Sequence, residues 1–122
     1  MAIQRTPRPK VTQSDTHKIV TGDGCQTLYI TVGKVDGKVI EVFITMGKSG
    51  ECNTCHCAAL GIAISNGLQH GVPLSVYTDS LRGIRCPNPM ICVASKDDRI
   101  LSCPDAVAKV LSLYLDDVNS GT

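Results

Sequence analysis

The order of apolar patterns along the chain predicts an α+β domain: a two- or three-stranded antiparallel sheet followed by three helices packed on one face. Three observations carry this. Residues 27–32 (TLYITV) and 38–46 (KVIEVFITM) alternate β-branched and outward positions around a turn containing Val35-Asp36-Gly37. Beyond residue 55 the apolar spacing becomes helical, with glycine or proline at the boundaries. Strands therefore precede helices instead of interleaving with them, which is the α+β layer arrangement. At 122 residues the chain has room for one such core.

Taken in order, residues 1–16 hold two prolines, basic residues and Ser/Thr/Gln without a periodic apolar signal, and are expected to form a flexible N-terminal arm. Residues 17–21 (HKIVT) read as a short third strand ahead of the hairpin. Gly47-Lys48-Ser49-Gly50 breaks the second hairpin strand, and residues 55–70 follow as a helix with Ala59, Ile62, Ala63 and Leu68 near helical spacing and Gly71 past its end. Pro73 suits the first turn of a shorter helix over 73–81, with Leu74, Tyr77 and Leu81 on one face and Gly83 as its stop. Residues 85–100 read mostly as loop and 100–103 as extended. Pro104 and Asp105 then open a third helix over 106–115, in which Val107, Val110, Leu111 and Tyr114 align. The ordered domain is expected over 17–118, with residues 119–122 a disordered tail.

With 43% hydrophobic residues but one Phe, three Tyr and no Trp, the core must be aliphatic, and no aromatic platform for stacking bases is present. A formal charge of +1 gives no broad electrostatic footprint for DNA, RNA or an anionic membrane. No apolar run approaches a membrane span and residues near Met1 lack a signal-peptide core, so a cytoplasmic protein acting on small molecules or protein partners is expected. Seven cysteines, an odd number set beside apolar segments, fit reduced or metal-bound thiols rather than a secreted disulfide framework.

Two constellations carry candidate chemistry. Lys48, Ser49 and Gly50 join a strand to a helix as part of a phosphate-cradling loop would, although the full GxxxxGK[ST] pattern is absent and a plain turn that folds the strand onto its helix explains them better. With Arg82, Arg85 and Asp105 they make a candidate ligand-binding set for an anion; Asp105 also reads simply as a charge at a helix N-terminus. The second constellation is Cys52-Asn53-Thr54-Cys55-His56-Cys57 at a helix start, where the dipole favours thiolate. Cys52 and Cys55 with Cys86 and Cys103, each of the latter followed by proline, would make four metal ligands, for zinc first and an iron–sulfur cluster second. Against this stands the reading that small cysteines pack tightly at helix starts. Cys25 and Cys92 are less suited. His56 has no residue to orient it, so no catalytic residue is assigned, and His17 and His70 are expected at the surface.

The segments Gly83-Ile84-Arg85-Cys86-Pro87, Leu101-Ser102-Cys103-Pro104-Asp105-Ala106 and Phe43-Ile44-Thr45-Met46-Gly47-Lys48-Ser49-Gly50 closely resemble the TSCPD domain, found near the C-terminus of adenosylcobalamin-dependent (class II) ribonucleotide reductases and in small stand-alone proteins. The resemblance runs from about Thr21 to the last helix. Cys52, Cys86, Cys103, Pro104 and Asp105 match its motif, whereas Cys55, His56 and Cys57 replace residues that are usually small or polar. It implies no catalytic barrel and no cobalamin in this chain. The expected role is therefore non-catalytic, accessory or regulatory to ribonucleotide reduction, through contact with a reductase large chain or binding of a nucleotide-like small molecule. A fainter similarity of element order links it to NifU-type iron–sulfur scaffolds. Alternative roles are a ligand binder, such as a phage protein sequestering a nucleotide-derived signal, and a cysteine-based zinc or iron–sulfur carrier. A small aromatic-poor domain also suggests self-association, as a homodimer first.

Overall fold

The computed structural model describes residues 4–20, 27–46, 52–85 and 100–115. Strands β1 (Gln13–Ile19), β2 (Leu28–Val35) and β3 (Lys38–Met46) form an antiparallel sheet in the order β1-β2-β3, followed by helices α1 (Cys52–Gln69), α2 (Leu74–Leu81) and α3 (Cys103–Ser112). This is the predicted α+β arrangement.

The β2–β3 hairpin turns on Asp36 and Gly37, whose φ angles of 54° and 80° place both in the left-handed region that suits the twist of a two-residue hairpin. Both strands thus run right up to the turn, and a register shift falls at Gly33/Lys34. Strand β1 is longer than the HKIVT segment and begins inside the stretch expected to be an arm. Residues ahead of it are also engaged. The Thr6 amide donates to the Gln69 carbonyl (2.6 Å), Arg5 Nε to Gln69 Oε1 (2.8 Å) and Arg8 Nε to Glu41 Oε2 (2.6 Å). Glu41, only 3% exposed within an otherwise apolar strand, explains this docking: a buried carboxylate requires partners, and Arg8 and Thr12 supply them.

The core lies between the sheet and the helices. Leu28, Ile30 and Val32 of β2 and Val42, Ile44 and Met46 of β3 meet Ile64 and Leu68 of α1, Leu74 of α2, Val107, Val110 and Leu111 of α3, and Tyr114 just past the end of α3, which stops at Ser112 rather than at residue 115 as expected. The predicted faces of α2 and α3 therefore point inward. That of α1 does so only at Leu68: Cys57, Gly61, Ile64 and Leu68 are buried, while Ala59 and Ala63 are exposed and Ile62 is 62% exposed. The physical reason is the close approach of α1 to β3. A Cβ built on Gly61 would lie 2.9 Å from the Val42 carbonyl oxygen, so the glycine must face the strand, and this fixes the helix phase.

Packing this close lets α1 satisfy the outer edge of β3. Ser65 Oγ accepts from the Val42 amide (2.8 Å) and donates to the Val42 carbonyl (3.0 Å), and Gln69 Nε2 donates to the Ile40 carbonyl (3.3 Å). Backbone groups that a fourth strand would pair are thereby partnered by helix side chains. Gly71 and Gly83, both with positive φ, follow α1 and α2 as expected. Helix α3 begins at Cys103, so Cys103 is helical and not part of the extended run expected up to it.

Candidate functional site

The Ser102-Cys103-Pro104-Asp105 run sits where the end of α2 meets the start of α3. Ser102 is the α3 N-cap: its Oγ accepts from the Asp105 amide (3.1 Å) and donates to the Ile84 carbonyl (2.5 Å). Pro104 occupies the first turn, where its missing N–H costs nothing. Asp105, with 0% exposure, accepts from the Gly83 amide at Oδ1 (2.8 Å) and from the Leu101 amide at Oδ2 (3.0 Å), and pairs with Lys109 Nζ (2.8 Å) one turn on. Burial alone would raise this carboxyl. The two amides and Lys109 together outweigh burial and hold its pKa below the ordinary value. Three residues of the run thus close the fold, and the Asp105 carboxylate is enclosed by protein donors rather than presented to a ligand.

Cys103 points elsewhere. From the first position of α3 its half-buried thiol packs against the core that holds the buried Cys57 of α1, and this neighbour, then burial, push the Cys103 thiol well above its ordinary pKa. The Cys103 thiol therefore keeps its proton in this setting. Cys55 is exposed. Two residues along a helix rotate by about 200°, so Cys55 and Cys57 face different ways. Cys52 is placed by its backbone at the first position of α1. Cys86, Lys48, Ser49 and Gly50 lie outside the described residues, and Arg82 and Arg85 are exposed just beyond α2. Among the described residues no group of three or more His, Cys, Asp or Glu side chains gathers as a metal site. Of the predicted ligands, then, the structure brings Cys103 to a thiol, but to that of Cys57. Cys57 falls outside the Cys52/Cys55 spacing, and its neighbour Cys103 lies 46 residues further along the chain.

Two further features went unread in the sequence. His17, expected at the surface, is half-buried with its Nε2 2.6 Å from Tyr114 Oη, and that hydroxyl donates to Asp15 Oδ2 (2.9 Å). Lys34 (3.0 Å) and then the Tyr114 hydroxyl lower the Asp15 pKa. The second feature is a groove of about 430 Å³ between β3 and α1, walled by Phe43, Ala58 and Ile62 and ending at the Arg8–Glu41 pair. Phe43 is 48% exposed there, on the sheet face turned away from the core. None of the described helices is long and apolar enough to cross a membrane.

The chain is 36% identical over 114 residues to a vitamin B12-dependent ribonucleotide reductase of Rhodopirellula baltica, covering 90% of this chain and 10% of that protein. It is likewise 36% identical over 78 residues to vitamin B12-dependent ribonucleotide reductases of Bradyrhizobium diazoefficiens and Agrobacterium fabrum, covering 63% of this chain and 6% of each. The chain therefore spans a tenth or less of the length of these curated relatives. No solved structure matches significantly. The family model of the TSCPD domain matches residues 3–115, nearly the whole chain, and the protein belongs to the TSCPD domain family.

Proposed function

We propose that this chain is a non-catalytic accessory domain of ribonucleotide reduction that acts by docking on a reductase large chain. The observation that carries the reading is 36% identity, over 90% of the chain, to a segment making up 10% of a vitamin B12-dependent ribonucleotide reductase. The groove flanked by Phe43 and Ile62 offers exposed apolar side chains for such a contact. The test is native mass spectrometry and size-exclusion of the full chain mixed with a vitamin B12-dependent reductase large chain lacking its own TSCPD domain. A defined complex supports the reading; two independently migrating species at tens of micromolar overturn it. Nucleotide binding would fall to Arg82 and Arg85, exposed beside the end of α2, and a shift in melting temperature with a nucleoside triphosphate would read it out.

The Cys57–Cys103 contact favours a second, compatible reading, that the domain holds a structural metal. Thiol donors suit zinc first and an iron–sulfur cluster second. Elemental analysis of native protein tests it. About one zinc or iron per chain supports the reading; metal-free protein that takes up neither ion counts against it.

A further inference from the structure

We propose that the groove between β3 and α1 is a docking site for a segment of a partner protein in which a large apolar side chain stands beside an acidic one; the inference rests on the docking reading above and names the chemistry of the segment. The groove holds about 430 Å³, the size class of pockets that enclose a ligand or an anchoring side chain, and its walls include Phe43, 48% exposed, and Ile62, 62% exposed. Burying two such side chains under one partner residue favours association. Polar groups of the lining are largely spent within the fold: Ser65 Oγ is bonded to both backbone groups of Val42, Gln69 to the Ile40 carbonyl and Arg5, and Glu41 to Arg8 and Thr12. A small polar ligand would find few groups left to orient it, whereas an apolar side chain needs none. The charge at the end of the groove selects the neighbour of that side chain. Arg8 uses Nε on Glu41 and Nη1 on the Pro9 carbonyl (3.2 Å), and its side chain, 43% exposed, keeps further N–H donors for a carboxylate. Arg5, also exposed, is joined to Gln69 of the groove. Residues 4–12 carry Arg5, Arg8 and Lys10 and no acid, and Glu41, the acid among the lining residues, is 3% exposed. An acidic segment therefore meets cations there, and a basic one meets repulsion.

The test pans the full chain against a displayed library of random peptides, measures recovered peptides by fluorescence anisotropy, and repeats the measurement with a reductase large chain lacking its own TSCPD domain. Recovered peptides are expected to pair Leu, Ile, Phe or Trp with Asp or Glu. They should bind at least about tenfold more weakly to Phe43→Ala and Ile62→Ser, and several-fold more weakly to Arg5→Glu or at raised salt. Val76→Ser, which alters an exposed apolar residue of α2, is expected to bind like wild type, and circular dichroism checks that every variant folds. Recovered peptides without acids, undiminished binding by both groove variants, or no recovered binder overturns the inference. So does a dimer of the wild-type chain that Phe43→Ala dissociates in native mass spectrometry, which gives the groove to a second copy. A large chain that binds wild type and the groove variants alike overturns the inference and leaves the docking reading standing. Acidic peptides that bind in the groove, beside a large chain that does not bind, support the inference and overturn only that reading.

Discussion

Replacing Asp105 by Asn separates the charge of this residue from its shape. The wild-type carboxylate is fully buried and accepts from two backbone amides, Gly83 and Leu101, besides pairing with Lys109. An amide side chain retains a single acceptor oxygen, so one buried N–H must face an NH₂ group. A hydrogen bond to a charged acceptor is worth about 1.5–3 kcal/mol, and leaving its donor unpaired adds desolvation cost. The Lys109 contact adds less than about 1 kcal/mol, because the lysine side chain is 26% exposed and can be rehydrated. The expected loss is about 3 kcal/mol, or a fall of roughly 12 °C in Tm for a domain of this size. Urea unfolding followed by circular dichroism measures it. The sign with pH is also fixed. Because the folded pKa lies below the unfolded value of about 3.9, the stabilisation is fully present above that value and is lost as pH falls through the folded pKa. The gap between wild type and Asp105→Asn should therefore be constant near neutrality and close on acidification below about pH 4. A gap under about 1 kcal/mol at pH 7, or one that widens in acid, would refute the reasoning.

Other substitutions probe the contacts that set helix phase and chain docking. Gly61→Ala gains about 1 kcal/mol of helix propensity but drives a methyl against the Val42 carbonyl, 2.9 Å away, at a cost of about 1–3 kcal/mol; a net loss near 1 kcal/mol is expected in urea unfolding, and a stabilised variant would contradict the close approach. Ser65→Ala leaves the Val42 amide and carbonyl without their helix partner and should cost about 1 kcal/mol, with faster hydrogen exchange at Val42 as the local readout. Glu41→Ala removes the acceptor of Arg8 and Thr12, so limited trypsin digestion should cleave after Lys10 several-fold faster; an unchanged rate would show that the Thr6–Gln69 and Arg5–Gln69 bonds alone hold the segment.

Elements whose inward positions are large and aliphatic were legible from the sequence. Helix α3 is the clearest case, since Val107, Val110 and Leu111 repeat at helical spacing behind a proline and are buried, as is Tyr114 just past its end. Helix α1 resisted because apolar residues surround it: its inward face uses Cys57 and Gly61, poor hydrophobic markers, while Ile62 faces out. Asp105 was visible as a helix N-terminal acid, but its bond to the Gly83 amide, 22 residues earlier, has no local signature. The Cys57–Cys103 contact is hidden for the same reason. The docking of the N-terminal segment left one trace, Glu41 standing inside KVIEVFITM, where a carboxylate in a strand core demands a cation.

Helix α1 along β3 also bears on how this sheet can grow. With the Val42 and Ile40 backbone groups taken by Ser65 and Gln69, β3 cannot template another strand without first shedding its helix. Among the described residues β1, paired with β2 alone, is the remaining edge. Its sequence, Gln13-Ser14-Asp15-Thr16-His17-Lys18-Ile19, puts charged and polar groups on both faces. An incoming strand would find few apolar partners and no strongly preferred register there, a defence against runaway edge-to-edge polymerisation. Any sheet extension between copies must therefore begin at β1 and join the two edges antiparallel or parallel under that penalty, which leaves side-chain surfaces as the easier route to assembly.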